Sequence, residues 1–398
     1  MRIIPPLILL LFVAACGGGG DSSSNNNQVD TAPTTPPDTT SPPADNPADP
    51  SSVCDASPTG VNWDALMNED CNELSQYNLF ADSSDPTQGP IGTGMAYQLS
   101  SELFTNYAQK YRFVFLPEAS QITYRAEDTF SLPVGSVLTK TFSLPSDTQL
   151  SGREHQTVIE TRLLIHRQSG WTTLAYVWEQ GVATLNVVGA DIAHTFNHQG
   201  EQVSFDYHVP SRAECKLCHQ LNDNDVSRIA PIGLKAQLLN HQIETSNGQT
   251  QLRHWQSLGM LAGLANNESI PHAPNITDDS GDLTARAKGY IDINCAHCHR
   301  SEGFASISGL RLGFHVDHTS YPYGVCKQPP GWDGGEKGLS YDIIPGDAEH
   351  SIMVYRQELN GAKDRMPPIG RAMVHTEAIT VIRQWIDMMS PSIGDCQA

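Results

Sequence analysis

The sequence predicts a multidomain chain, with a mostly-β sandwich over residues 53–210 followed by two small α-helical modules over 211–280 and 281–398. Three observations point there. Short runs at Thr161–Arg167, Trp171–Trp178, Val182–Val188 and Val203–Val209 are strand-like, several alternate in period two, and turn signals such as Gln168-Ser169-Gly170 separate them. Near the end, Ile379, Ile382, Ile386 and Met389 recur at helical spacing within Thr376–Met389. The pattern C-x-x-C-H occurs twice, at Cys215–His219 and Cys295–His299, once in each proposed helical module.

Taken in order, the chain begins with an address. Arg2 followed by the apolar run Leu7–Ala15 reads as a secretory signal over residues 1–15, too short to span a bilayer. Val13-Ala14-Ala15-Cys16 resembles a bacterial lipobox, which implies cleavage before Cys16 and lipidation of its thiol. Gly17, rather than Asp, follows that cysteine, which by the same resemblance favours the outer membrane. The expected location is therefore the bacterial envelope, lipid-anchored and facing the periplasm or the exterior. Residues 16–52 are Gly-, Pro-, Ser- and Thr-rich and acidic, and read as a disordered tether.

Charge narrows the function classes. The 398 residues carry a formal net charge of −20, and residues 3–109 hold no Lys or Arg at all. Residues 110–398 contain 23 basic and 31 acidic side chains, so no basic face for nucleic acid is expected.

Nine cysteines divide by position. Cys16 goes to lipid, and four belong to the C-x-x-C-H pairs. Four remain in an exported, oxidising setting, where three pairings are open. Proximity in sequence favours Cys54–Cys71, which leaves Cys326–Cys396.

C-x-x-C-H is the attachment pattern of a c-type haem. Two thiols three residues apart reach both vinyl groups on one porphyrin edge, and the next residue turns its imidazole to the iron. A redox dithiol expects a thioredoxin-like setting, and a Cys₄ zinc site gives no reason for His after each pair. The reading is two covalently attached haem c groups, with thioethers at Cys215, Cys218, Cys295 and Cys298 and proximal ligands His219 and His299.

In the first module, Pro231–Ile243 and Gln251–Leu264 suggest helices. Met260 is the favoured distal ligand, with His241, His254 and His272 behind it, and an empty position would change the chemistry. In the second module, Asp282 caps a helix over Leu283–Asn294. That helix crosses the terminal helix, Thr376–Met389, in an arrangement that resembles the class I cytochrome c fold. Met366, in the stiff Arg365-Met366-Pro367-Pro368 loop, is the expected distal ligand of the second haem. Met353 lies in an apolar helical run and reads as core.

The chain also resembles a family of exported dihaem c-type cytochromes over roughly residues 74–390. The carriers are Glu160-Thr161-Arg162-Leu163-Leu164, Pro210–His219, Pro231-Ile232-Gly233-Leu234-Lys235, Asn294–Arg300, Pro345-Gly346-Asp347 and Arg365–Pro368. Similar modules look fused to quinone-dependent sugar dehydrogenases in other proteins, which implies electron donor and acceptor partners, a dehydrogenase among them. The expected role is electron transfer rather than catalysis. The rivals are a dihaem peroxidase or oxidase with one open iron, and a glycan-binding module using Trp171, Tyr176 and Trp178 as a platform.

Overall fold

The computed structural model describes residues 52–396 except 57 and 225. The signal segment, Cys16 and the tether as far as residue 51 lie outside the described residues.

Strands rich in β-branched and aromatic residues, buried on both faces at their centres, build the central sheet. Strands β1 (Met95–Ala96), β2 (Gln109–Phe115), β3 (Ile122–Thr123), β4 (Val137–Pro145), β5 (Gln156–Arg167), β6 (Gly170–Glu179) and β7 (Val182–Leu185) appear in chain order. All but β3 join one antiparallel sheet, ordered β1-β2-β4-β5-β6-β7. Gly170, at φ +109°, opens β6 after the turn, a conformation that suits glycine. Strands β8 (Ala190–His198) and β9 (Glu201–Val209) form a separate hairpin. It buries Tyr207 and Val209 against Phe142, Leu144 and Ala175. A second hairpin joins β10 (Gln220–Asp223) to β11 (Val226–Ile229), and the short β12 (Leu261–Ala262) pairs in parallel with β3.

Helices are few and mostly short: α1 (Trp63–Asn68), α2 (Arg212–His219), α3 (Ala236–Leu239), α4 (Gln251–Ser257), α5 (Leu283–Cys295), α6 (Ile352–Glu358) and α7 (Thr376–Asp387). Successive strand residues face opposite sides of the sheet, so each side gathers its own core. On one side Phe113, Phe115, Leu163, Ile165 and Tyr176 pack against Leu66, Leu74 and Tyr77 of the N-terminal segment. On the other, Val114, Leu138 and Leu164 pack against Leu234, Leu238, Leu252 and Trp255. A third core joins α5 and α7 through Ala287, Ile291, Ile382, Trp385 and Ile386.

This corrects the expected fold class. A six-stranded antiparallel sheet dominates, and two small helical cytochrome c-like modules do not form. The physical reason lies in the segments after residue 210. Helices of four and seven residues cannot enclose a core by themselves, and the sheet has an apolar face to cover. Residues 234–264 therefore become a layer on that face. Pro231 and Gly233 also shorten the helix expected over Pro231–Ile243 to the single turn of α3. Residues 50–398 accordingly cluster as one compact unit. Asp292, 2 % exposed on α5, ties the layers together. It accepts from Lys235 Nζ at 2.7 Å, Gln237 Nε2 at 3.1 Å and the Phe314 backbone N–H at 3.0 Å.

Candidate functional site

Each C-x-x-C-H motif is set by local chemistry. Ser211 caps α2 in a reciprocal box with Glu214, whose carboxylate accepts the Ser211 N–H at 2.9 Å. That helix carries Cys215, Cys218 and His219. Asp282 caps α5 by accepting from the Ala285 N–H at 2.8 Å, and the helix ends on Cys295. The chain then winds tightly, with the N–H groups of Cys298 and His299 both donating to the Cys295 carbonyl, at 3.1 and 2.9 Å.

Both motif histidines are oriented by a partner at Nδ1. His219 Nδ1 lies 2.8 Å from the Ala230 carbonyl, an acceptor, so this nitrogen donates. His299 Nδ1 lies 2.9 Å from Ser308 Oγ, whose own proton goes to the Ala305 carbonyl at 2.7 Å, so here too Nδ1 donates. In neutral imidazole that leaves the lone pair on Nε2, the ligating nitrogen. Burial pushes both imidazoles down to about 4, towards the neutral form that binds metals.

The two motifs meet. Ligand atoms of Cys218, His297 and Cys298 lie within 4.8 Å of one another, and Cys298 Sγ is 3.3 Å from the Leu217 carbonyl. A hydrogen bond from Cys298 draws the Cys218 thiol down to about 4, while the same bond pushes Cys298 up. Cys215 and Cys295 do not join this cluster, so the four thiols do not converge as a Cys₄ zinc site needs. The remaining cysteines are paired, Cys54 with Cys71 and Cys326 with Cys396, whereas all four motif thiols are free.

Two clefts adjoin the motifs. One, of about 620 Å³, is lined by Cys218, His219, His297, His166 and Trp171, within the size range of ligand clefts (about 300–1,000 Å³). The other, largely apolar, runs from Cys215, Cys218 and His219 past Ile293 and Tyr290 to Met366 and Ile379. Cys215, Cys218 and His219 are all reached from the second cleft, and the Nδ1 bonds leave Nε2 of His219 and His299 free to ligate.

Of the expected distal ligands, Met366 lines the second cleft, beside Cys215, Cys218 and His219 of the first motif, whereas Cys295, Cys298 and His299 of the motif it was expected to serve line neither cleft. Its backbone N–H donates to the Arg356 carbonyl at 2.8 Å, and the Arg356 charge is felt at His299. Met260 packs at the edge of the sheet-covering core and lines neither cleft, and the same is true of His241, His254 and His272. Trp171, Tyr176 and Trp178 share no exposed platform. Tyr176 is wholly buried, and Trp171 lies in the core on the opposite side of the sheet from the other two. Sequence reasoning passed over His166, stacked on Trp171 at 4.5 Å, and the cations Arg112, Lys140 and Arg162 in the second cleft. The available signal was charge at strand positions where alternation asks for apolar residues.

Fold and site together define a class: a sheet-based protein in which two C-x-x-C-H motifs abut beside adjoining clefts. Comparison with family models, curated proteins and solved structures gives no match.

Proposed function

We propose that the chain carries two covalently attached haem c groups and passes electrons between redox partners at the bacterial envelope. The observation that carries this reading is the meeting of the two motifs, each with its histidine held through Nδ1. Each thiol would add across a vinyl double bond, forming S–C and C–H bonds with no net oxidation. Bound haem supplies a one-electron iron couple. The protein's part is to orient Nε2 of His219 and His299, to wall the clefts with apolar side chains, and to keep the two motifs adjacent. Met366 is the sixth ligand of the second haem in this reading. Cys16 carries the lipid anchor, and donor and acceptor proteins, a dehydrogenase among them, are the partners. The acidic balance favours basic partners at low salt.

The test is direct. Full-length protein produced with haem-maturation machinery should gain the mass of two haems that survives denaturation, and show c-type absorption bands on reduction. A colourless product refutes the reading. A second reading rests on the Cys218–His297–Cys298 cluster, a three-ligand set for a thiophilic ion. It excludes thioethers at Cys218 and Cys298, so one bound zinc or copper ion in place of haem mass would favour it.

A further inference from the structure

Strand register lines up three cations on one face of the sheet. Arg112 on β2 stands opposite Lys140 on β4, and Lys140 stands opposite Arg162 on β5. Like charges directly opposite one another destabilise a sheet. Local carboxylates offset only part of this row. Glu102 accepts from Arg112 Nη1 at 2.9 Å, and Glu160 pairs with Arg162. Arg112 is 3 % exposed, yet its Nη2 has no hydrogen-bond partner, and neither does buried Nε of Arg162. Lys140 Nζ lies 4.7 Å from the Phe142 ring centroid, among the described residues no carboxylate reaches it within salt-bridge distance, and burial beside Arg112 and Arg162 pulls its pKa well below the usual lysine value, a shift that an anion at the row would reverse. Buried charged donors left unmet are costly, so the row is incomplete as it stands.

All three side chains line the cleft that also holds Cys215, Cys218 and His219. Guanidinium forks and an ammonium in one row suit carboxylates. A haem joined through its vinyl carbons has two propionate carboxylates elsewhere on its rim. We propose that Arg112, Lys140 and Arg162 receive the propionates of the haem attached to Cys215 and Cys218. This rests on the haem reading above and assigns the row a role as positioning residues. Such a row holds the propionates ionised and biases the first haem towards its reduced state.

The experiment compares full-length holoprotein with Lys140→Met and Lys140→Arg. Met removes the one cation of the row without a carboxylate partner and preserves side-chain bulk. Covalent haem count by denaturing mass spectrometry comes first. Two haems in every form, with the midpoint of one haem lowered in Lys140→Met and newly pH-dependent between about pH 5 and 8, supports the proposal. Restoration by Lys140→Arg supports it further. Two haems with midpoints and pH profile unchanged would falsify the assignment while leaving the haem reading intact. Absence of covalent haem in the unaltered protein would sink both. Succinate is the probe for a free dicarboxylate: saturable binding to unaltered holoprotein that Lys140→Met abolishes would give the row to a soluble ligand instead. If Lys140→Met is not recovered folded, Lys140→Gln, which also removes the charge but keeps a polar tip, is read the same way.

Discussion

Single atoms decide most of the chemistry here. A histidine can bind through either nitrogen, and His219 and His299 are each committed by one acceptor, a backbone carbonyl in one case and a serine hydroxyl in the other. Met366 is the residue whose role is open to the sharpest check. On the haem reading, replacing Met366 by Ala should lower the potential of the second haem by an appreciable part of the ~0.8 V range that axial ligands span. Potentiometric titration followed at the haem bands reads this, and an unmoved midpoint would remove Met366 from the coordination sphere. Removing the hydroxyl at Ser308 would act on the same haem through His299. Without an acceptor for its Nδ1 proton, His299 becomes a weaker donor, so Ser308→Ala should raise that potential. A fall on this substitution would contradict the tautomer derived from the Ser308 bonds.

At the scale of elements, four strands, β5, β6, β7 and β9, and the two longest helices were legible, whereas β2, β4 and β8 of the same region were not picked out. β9 follows alternation, β5 and β6 read as strand-like runs around a turn and are buried on both faces at their centres, and α5 begins at its Asp282 cap. The terminal helix shows its apolar stripe, and α7 buries Ile379, Ile382 and Ile386. What could not be read was where the short apolar segments after residue 230 would dock. Leu238, Leu252 and Trp255 look alike whether they enclose a small helical core or cover a sheet, and only the partner distinguishes the two. The distal-ligand expectation at Met260 failed to reach a cleft for the same reason, since it assumed a core that residues 234–264 do not build. The motif residues were legible from spacing alone, whereas Arg112, Lys140 and Arg162 became a group only through register. Close packing behind α5 offers a test of that helix's seat. A Cβ added at Gly289 would lie 2.7 Å from the Ala273 Cβ. Gly289→Leu should therefore destabilise the fold by about 1–3 kcal/mol, measured by denaturant unfolding. Full stability in that variant would mean α5 is free to shift away from residue 273.

Over the whole molecule, the sheet is a partition with a separate core on each side, and the two motifs come from chain segments 80 residues apart. Long-range ties matter in such an arrangement. Cys326–Cys396 spans 70 residues of sequence, which corresponds to roughly 4 kcal/mol of unfolded-state restriction in the chain-entropy account. The Cys326→Ala, Cys396→Ala double variant should lose about 2–5 kcal/mol by equilibrium denaturation, and a loss well under 1 kcal/mol would show that its benefit is small. The oxidising setting of the proposed envelope location would also act on the meeting point of the motifs. Cys218 and Cys298 stand close enough to capture one another. On the haem reading, any molecule that folds before haem is attached is then exposed to a crosslink that blocks both attachment points in one event. Biogenesis would then be a race, in which a maturation apparatus has to reach these sulfurs before the cell's own oxidants do.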